Sequence, residues 1–163
     1  MIALKHIVVA TDFGDAAEVA LTYGRELARA FGATLHLVHV VEDVHEKPGA
    51  MAGYGIDFNR LQADVEQAGR LQLDGALTDE DRTQLSATPV VLISGSPARA
   101  IAEYAQKAGA NLVIVGSHGK GPIAQMFVGS VAERLGRIAP CPLLLVHHPE
   151  REFVLPNAPQ RRT

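Results

Sequence analysis

The sequence predicts an open, doubly wound α/β fold: a five-stranded parallel sheet with helices on both faces. Three observations predict it. Five short apolar-rich runs recur along the chain, at Ile7–Ala10, Thr34–Val41, Pro89–Ile93, Asn111–Val115 and Pro142–His147, and largely continuous apolar runs suit strands buried on both faces. Segments with a helical repeat separate them, and such alternation demands parallel strands joined by right-handed crossovers. The length, 163 residues, allows one domain. A chain of that size buries about 68–70% of its extended surface, so it needs no disulfide or structural metal.

Ile7–Ala10 is the first strand. The helix after it is expected to open with Asp15 as cap and Glu18 as its capping-box partner. Its apolar stripe runs through Ala17, Ala20, Leu21, Gly24, Leu27, Ala28 and Phe31, at helical spacing. Gly32 stands where a left-handed C-terminal cap belongs. After the second strand, Thr34–Val41, the segment His45–Phe58 is rich in glycine and proline and reads as a loop. A helix is expected from Asn59 to about Asp74 through Leu61, Val65, Ala68 and Leu71, with Gly69 as its weak point. Thr78–Leu85 is a further short helix.

Pro89–Ile93 is the third strand. Ser96 then caps and Pro97 opens a helix whose stripe is Ala98, Ile101, Ala102, Ala105 and Ala108, closed by Gly109. Beyond the fourth strand, Asn111–Val115, the glycine-rich loop Gly116–Val128 leads to a helix from about Ser130 to Ile138 and then to the fifth strand. One domain is expected over residues 1–148. The tail, residues 149–163, carries three prolines and no period; it is expected to be mobile or to lie on a partner.

Composition narrows the function. The chain is 47% hydrophobic and 20% charged with a net charge of −3, so it has no basic field for gripping nucleic acid. A single cysteine, Cys141, cannot form an internal disulfide and fits a reducing compartment. The opening apolar run is too short for a signal peptide, and no stretch approaches the ~20 apolar residues of a membrane span. The expectation is a cytoplasmic protein that does not insert in membranes.

In a doubly wound sheet, ligands bind outside the carboxyl ends of the strands where strand order reverses. Strand one ends at Thr11-Asp12, and strand four ends at Gly116-Ser117-His118-Gly119, followed nine residues later by Gly129-Ser130. At Gly116 a missing Cβ would let a ligand approach the backbone. Gly119 permits the dihedrals that wrap a loop round a phosphate. Gly129-Ser130 opens a helix, whose unpaired amides and dipole favour an anion, and the Ser130 hydroxyl can donate to a phosphate oxygen; it can also form a capping box with Glu133. The sum is a phosphate cradle made mostly of backbone. No Walker A loop exists, and the G-x-G-x-x-A at Gly119–Ala124 follows the fourth strand and contains Pro122, so it does not read as a dinucleotide fingerprint.

The spacing Gly116-x-x-Gly119-(nine)-Gly129-Ser130 resembles the ATP-binding signature of the universal stress proteins. The strand running into Asp12, the HVV at His39–Val41, the GSPARAIAEYA before strand four and the final CPLLLV resemble the same family, over roughly residues 3–147. The resemblance implies an adenine nucleotide alpha hydrolase-like, Rossmann-like fold and ATP as ligand, with Mg²⁺ carried on its phosphates. It implies that Gly116, Gly119, Gly129, Ser130 and Val131 surround the ribose and phosphates. Ser117 and His118 of the same loop are further candidate binding residues, with His118 either touching a phosphate or exposed to solvent. Asp12 and the backbone of Val40 would face the adenosine. Many relatives carry Ser two residues after the aspartate; this chain has Gly14.

Catalysis has little to work with. ATP hydrolysis needs a placed water, a residue to orient it and charge on the departing phosphate, and the loop offers Lys120 with no carboxylate between Gly116 and Ser130. The expected role is therefore a nucleotide-dependent regulator in stress response, with slow hydrolysis possible, rather than a dedicated enzyme. One alternative keeps the fold as an interaction module that binds no nucleotide. Another is an adenylyl transferase or ATP pyrophosphatase, but those carry a His-rich turn or an S-G-G-x-D-S loop after strand one, where this chain has Thr11-Asp12-Phe13-Gly14. No metal ligand set is expected: His36 and His39 lie three apart on a strand and point to opposite faces. Cys141 has no charged neighbour to activate it and reads as structural. Leu143–Val146, apolar and expected at a sheet edge, calls for cover; pairing with the same strand of a second copy supplies it, and many members of the family dimerise there. A regulatory protein partner is implied but not identified.

Overall fold

The strands pair as their alternation with helices requires. In the computed structural model, which describes residues 1–46, 55–117 and 129–148, β1 (His6–Ala10), β2 (Thr34–Val41), β3 (Thr88–Ile93), β4 (Leu112–Gly116) and β5 (Leu143–Val146) form one sheet in the order β3-β2-β1-β4-β5. Every neighbouring pair is parallel. The helices are α1 (Asp15–Phe31), α2 (Phe58–Ala76), α3 (Asp79–Gln84), α4 (Pro97–Lys107) and α5 (Ser130–Ile138). Strand order reverses between β1 and β4, the two ends singled out from the sequence. The tail expected over residues 149–163, with its boundary, lies outside the described residues.

Successive residues of β1 serve opposite faces, which explains why its apolar run does not alternate. Ile7 and Val9 join Leu21 of α1, Leu35 and Leu37 of β2 and Leu73 of α2 in one core. Val8 joins Val38, Val113, Ile101 and Ala105 of α4 and Leu135 of α5 in the other. Ile7, Val8 and Val9 are fully buried, each stabilising the fold by roughly 1.5–3 kcal/mol relative to exposure.

The stripe of α1 packs from Ala17 through Ala28, and Gly32 closes the helix in the left-handed region (φ 63°) with its N–H on the Ala28 carbonyl. Phe31, expected on the stripe, is instead 47% exposed in the last turn. Gly24 lets α1 lie flat on the sheet: a Cβ there would sit 2.5 Å from Cγ2 of Val9. The Gly24→Ala variant is therefore expected to lose stability despite alanine's better helix propensity, by about 1–3 kcal/mol, the usual cost of overpacking. Thermal or denaturant unfolding checks it, and a more stable variant would show that the interface yields.

The expected caps need correction at two helices. Asp15 is the first helical residue of α1, not its cap. Gly14 holds the cap position in extended conformation without a side-chain bond, and Asp12 Oδ1 accepts the Gly14 N–H at 2.9 Å. The aspartate three residues earlier has taken the turn. At α5 the Ser130–Glu133 box does not form: Gly129 is the cap residue, no side chain caps the helix, and Glu133 pairs with Arg137 at 2.9 Å. Ser96 does stand at the cap position of α4 with Pro97 behind it, but its side chain makes no cap bond.

Helix α2 turns a different face to the sheet than its leucines suggest. It buries Gln62, Gly69 and Leu73, while Leu71 is 66% exposed. Gly69 is a contact point rather than a weak one: a Cβ there would lie 3.1 Å from Val41 Cγ1 and 3.3 Å from His39 Cδ2. Asp57 caps the helix, its side chain accepting from Asn59 and Arg60 N–H. Thr78 and Asp81 form a reciprocal capping box on α3.

Candidate functional site

The carboxyl ends of β1 and β4 open on a cavity of about 230 Å³, on the sheet face covered by α4 and α5. Ala10, Val38 and Val40 form its sheet wall, Pro97 and Ile101 of α4 one flank, and Val131 and Ala132 of α5 the other. Thr11, Asp12, Gly116, Gly129 and Ser130 stand at the strand and helix ends around this apolar slot. Mostly apolar walls with a few convergent polar groups are the usual make-up of a small-molecule site.

Six of the residues singled out from the sequence line this cavity: Asp12, Val40, Gly116, Gly129, Ser130 and Val131. Ser117 does not. It is buried beside the cavity, its N–H donating to Val146 O at 2.7 Å while its carbonyl accepts from Gly129 N–H at 2.6 Å. That second bond ties the end of β4 to the start of α5, so the two stems of the glycine-rich loop meet at the rim. His118 and Gly119 lie outside the described residues.

Gly116 needs a correction of reason. A Cβ there would meet Ala16 Cβ at 2.8 Å, Ala16 C at 3.0 Å and Ala17 N at 3.1 Å. The space left by the missing side chain is filled by the first turn of α1, not held open for a ligand. The glycine brings helix and strand into contact and so sets where the Asp12 turn lies relative to β4.

The turn from β1 into α1 is tightly held. Thr11 donates its N–H to Val38 O at 2.9 Å, and its hydroxyl accepts from Phe13 N–H at 2.9 Å. Phe13 has φ 60°, a left-handed conformation unusual for a bulky residue. Asp12, half-buried, projects from this turn at the cavity mouth. Sequence reasoning missed Pro97 and Ile101 as site residues. The signal existed, since both belong to the helix start and stripe recognised there, but only the assembled layers put α4 over the ends of β1 and β2.

The histidines separate as expected. His36 bonds to His6 (3.2 Å) and to Tyr104 of α4 (2.9 Å), and burial, with His6 adding to it, pushes its imidazole below the usual histidine value. His39 lies on the other face, its Nδ1 2.8 Å from Thr11 O and its ring against Phe13. Among the described residues no group of three or more His, Cys, Asp or Glu is arranged to hold a metal. Cys141 is half-buried, and burial pushes its thiol up, away from the reactive thiolate. No helix among the described residues is long and apolar enough to cross a membrane.

Comparison with known proteins fits this architecture. A universal stress protein of Thermus aquaticus is 32% identical over 143 residues, 87% of this chain and 98% of the relative. The structure of MJ0577 from Methanocaldococcus jannaschii superposes with a TM-score of 0.71 at 21% identity, covering 92% of this chain and all of the other. A universal stress protein of Archaeoglobus fulgidus solved in complex with dAMP superposes with a TM-score of 0.52 at 22% identity, over 90% and 99% of the two chains. The match to the Universal stress protein family runs over residues 3–147, from the strand that leads into Asp12 to the edge strand that closes the sheet, and the chain belongs to that family.

Proposed function

We propose that this protein binds ATP in the cavity between the ends of β1 and β4 and acts as a nucleotide-dependent regulator in stress response, without being a dedicated catalyst. The observation that carries the reading is the convergence there of an apolar slot, the Asp12 carboxylate and the amino-terminal end of α5. Adenine suits the slot between Val40, Ile101 and Val131. Asp12 and the Val40 backbone would accept hydrogen bonds from the adenosine. The unpaired amides of α5 beside Gly129 and Ser130, with the helix dipole, favour the phosphates; Ser117, His118 and Gly119 belong to the same loop. That an A. fulgidus protein of this fold was solved with dAMP agrees with an adenine nucleotide as ligand.

Asp12 is the only carboxylate among the described lining residues. An octahedral Mg²⁺ would therefore ride on the phosphates with its waters rather than in a protein cage. A backbone cradle of this kind holds ground and transition states alike, which binds a nucleotide without accelerating its chemistry. The regulatory step would be occupancy itself, read by a partner protein at the rim where β4, β5 and α5 meet. The edge strand Leu143–Val146 has one side paired to β4, and the second side would take the same strand of another copy to make a homodimer.

The test is a titration of purified protein with ATP and Mg²⁺ by calorimetry, preceded by mass spectrometry of nucleotide released on acid denaturation. Co-purified ATP, or saturable one-to-one binding, is the expected result. No binding up to millimolar ATP would leave the same fold as an interaction module.

A further inference from the structure

We infer that His39 is a positioning residue for the nucleotide site: it acts through the Thr11 carbonyl and the strained Phe13 turn to set the direction of the Asp12 carboxylate. The inference rests on Asp12 contacting the adenosine, as proposed above. His39 is among the residues lining the cavity, but its ring packs on Phe13 and against Gly69 of α2, on the opposite face of the sheet from α4.

Two consecutive residues of β2 grip Thr11 from both sides. Val38 O takes its N–H at 2.9 Å, and His39 Nδ1 lies 2.8 Å from its carbonyl oxygen. A carbonyl oxygen only accepts, so Nδ1 carries the proton and donates. This bond fixes the peptide plane between Thr11 and Asp12, the last one before the aspartate. The next residue, Phe13, sits at φ 60°, which a bulky side chain adopts only where its surroundings impose it. Its ring packs on the His39 ring with centroids 4.6 Å apart, and its N–H returns to the Thr11 hydroxyl. The imidazole therefore holds the turn twice, by a hydrogen bond before Asp12 and by ring contact after it. Gly69 of α2 closes behind the imidazole, 3.3 Å from Cδ2 to the position of its missing Cβ, so the ring has little room to swing away.

The experiment is a double-substitution cycle on ATP affinity, with unfolding temperature recorded for every variant. His39→Leu removes the donor and keeps an apolar side chain; the expected result is a loss of about tenfold in ATP affinity, the usual scale for one hydrogen bond. In the Asp12→Asn background the same substitution is expected to cost little, because positioning residues lose their effect when the group they position is gone. His39→Asn is expected to recover most of the affinity, since its amide nitrogen stands as far along the side chain as Nδ1. Should His39→Leu not fold, Phe13→Ala carries the same cycle, removing the ring that braces the imidazole.

Unchanged affinity in a folded His39→Leu protein overturns the inference. So does an equal loss with and without Asp12, or a His39→Asn protein as weak as His39→Leu, since a purely structural histidine gives those results. Absence of ATP binding in the unmodified protein would be a different failure, that of the nucleotide assignment itself.

Discussion

Asp81→Asn is expected to lower stability by about 3 kcal/mol. Asp81 is 1% exposed. Its carboxylate accepts Arg25 Nε at 3.0 Å and Arg25 Nη2 at 2.8 Å together with the Thr78 N–H at 3.0 Å, while its own carbonyl takes the Leu85 and Ala87 N–H groups. One residue thus pins α1, α3 and the entry to β3 together. Removing one partner of a buried ion pair costs about 3–5 kcal/mol, and the lower figure applies because Arg25 keeps some access to water. For a chain of this size that is a fall in Tm of about 6–12 °C.

The pH dependence follows from the same contacts. Burial by itself would raise the Asp81 carboxyl, but the bonds from Arg25 and Thr78 and the Arg25 charge outweigh it, holding the group below the ordinary aspartate value of 3.8. A group depressed on folding stabilises above its unfolded value, and that stability is lost as pH falls through the folded one. The gap in Tm between the two proteins is therefore expected to be full at neutral pH and to narrow below about pH 4. Equal Tm values at pH 7, or a gap that persists undiminished to pH 2, would show that the ion pair is not the cause.

Asp81 also marks the limit of what the chain discloses unfolded. Arg25 lies 56 residues away from it, and nothing in either neighbourhood announces the partnership. The same holds for α2. Its leucines suggested one face, but fit against β2 and β3 favours the face where glycine allows close approach, and Leu71 is left to water. Local signals whose partners lie within a turn were legible: the left-handed close of α1 at Gly32, Pro97 at the start of α4, and the apolar runs that became β1 and β4. Where two local signals compete, sequence does not decide. Asp15 reads as the cap of α1, yet Gly14 takes the cap position and Asp12 accepts its N–H. For the candidate site, the two strand ends were legible because Thr11-Asp12 and the glycine spacing that starts at Gly116 mark them locally, whereas the α4 flank at Pro97 and Ile101 became visible only with the layers assembled.

Gly129→Asp is expected to cut ATP affinity by about 100-fold or more while leaving the protein as stable as before. Gly129 has φ −61° and ψ 147°, extended backbone open to any residue, and it stands at the cap position of α5, where aspartate is among the preferred residues. A carboxylate there should bond to the amides of Val131 and Ala132 and complement the helix dipole. Those are the amides the phosphates would use. The substitution both occupies them and places a negative charge beside the phosphate chain. Two unit charges 4 Å apart near a protein surface repel by about 4 kcal/mol, and each 1.4 kcal/mol is tenfold in affinity. Gly116→Val would be a poorer test, since its side chain would strike the α1 backbone and a loss of binding could reflect a displaced helix. Gly129→Ala separates bulk from charge, with a much smaller loss expected. Calorimetric titration with ATP and Mg²⁺, alongside thermal unfolding, reads both quantities; an aspartate variant that binds ATP like the unmodified protein would put the phosphates somewhere other than the mouth of α5.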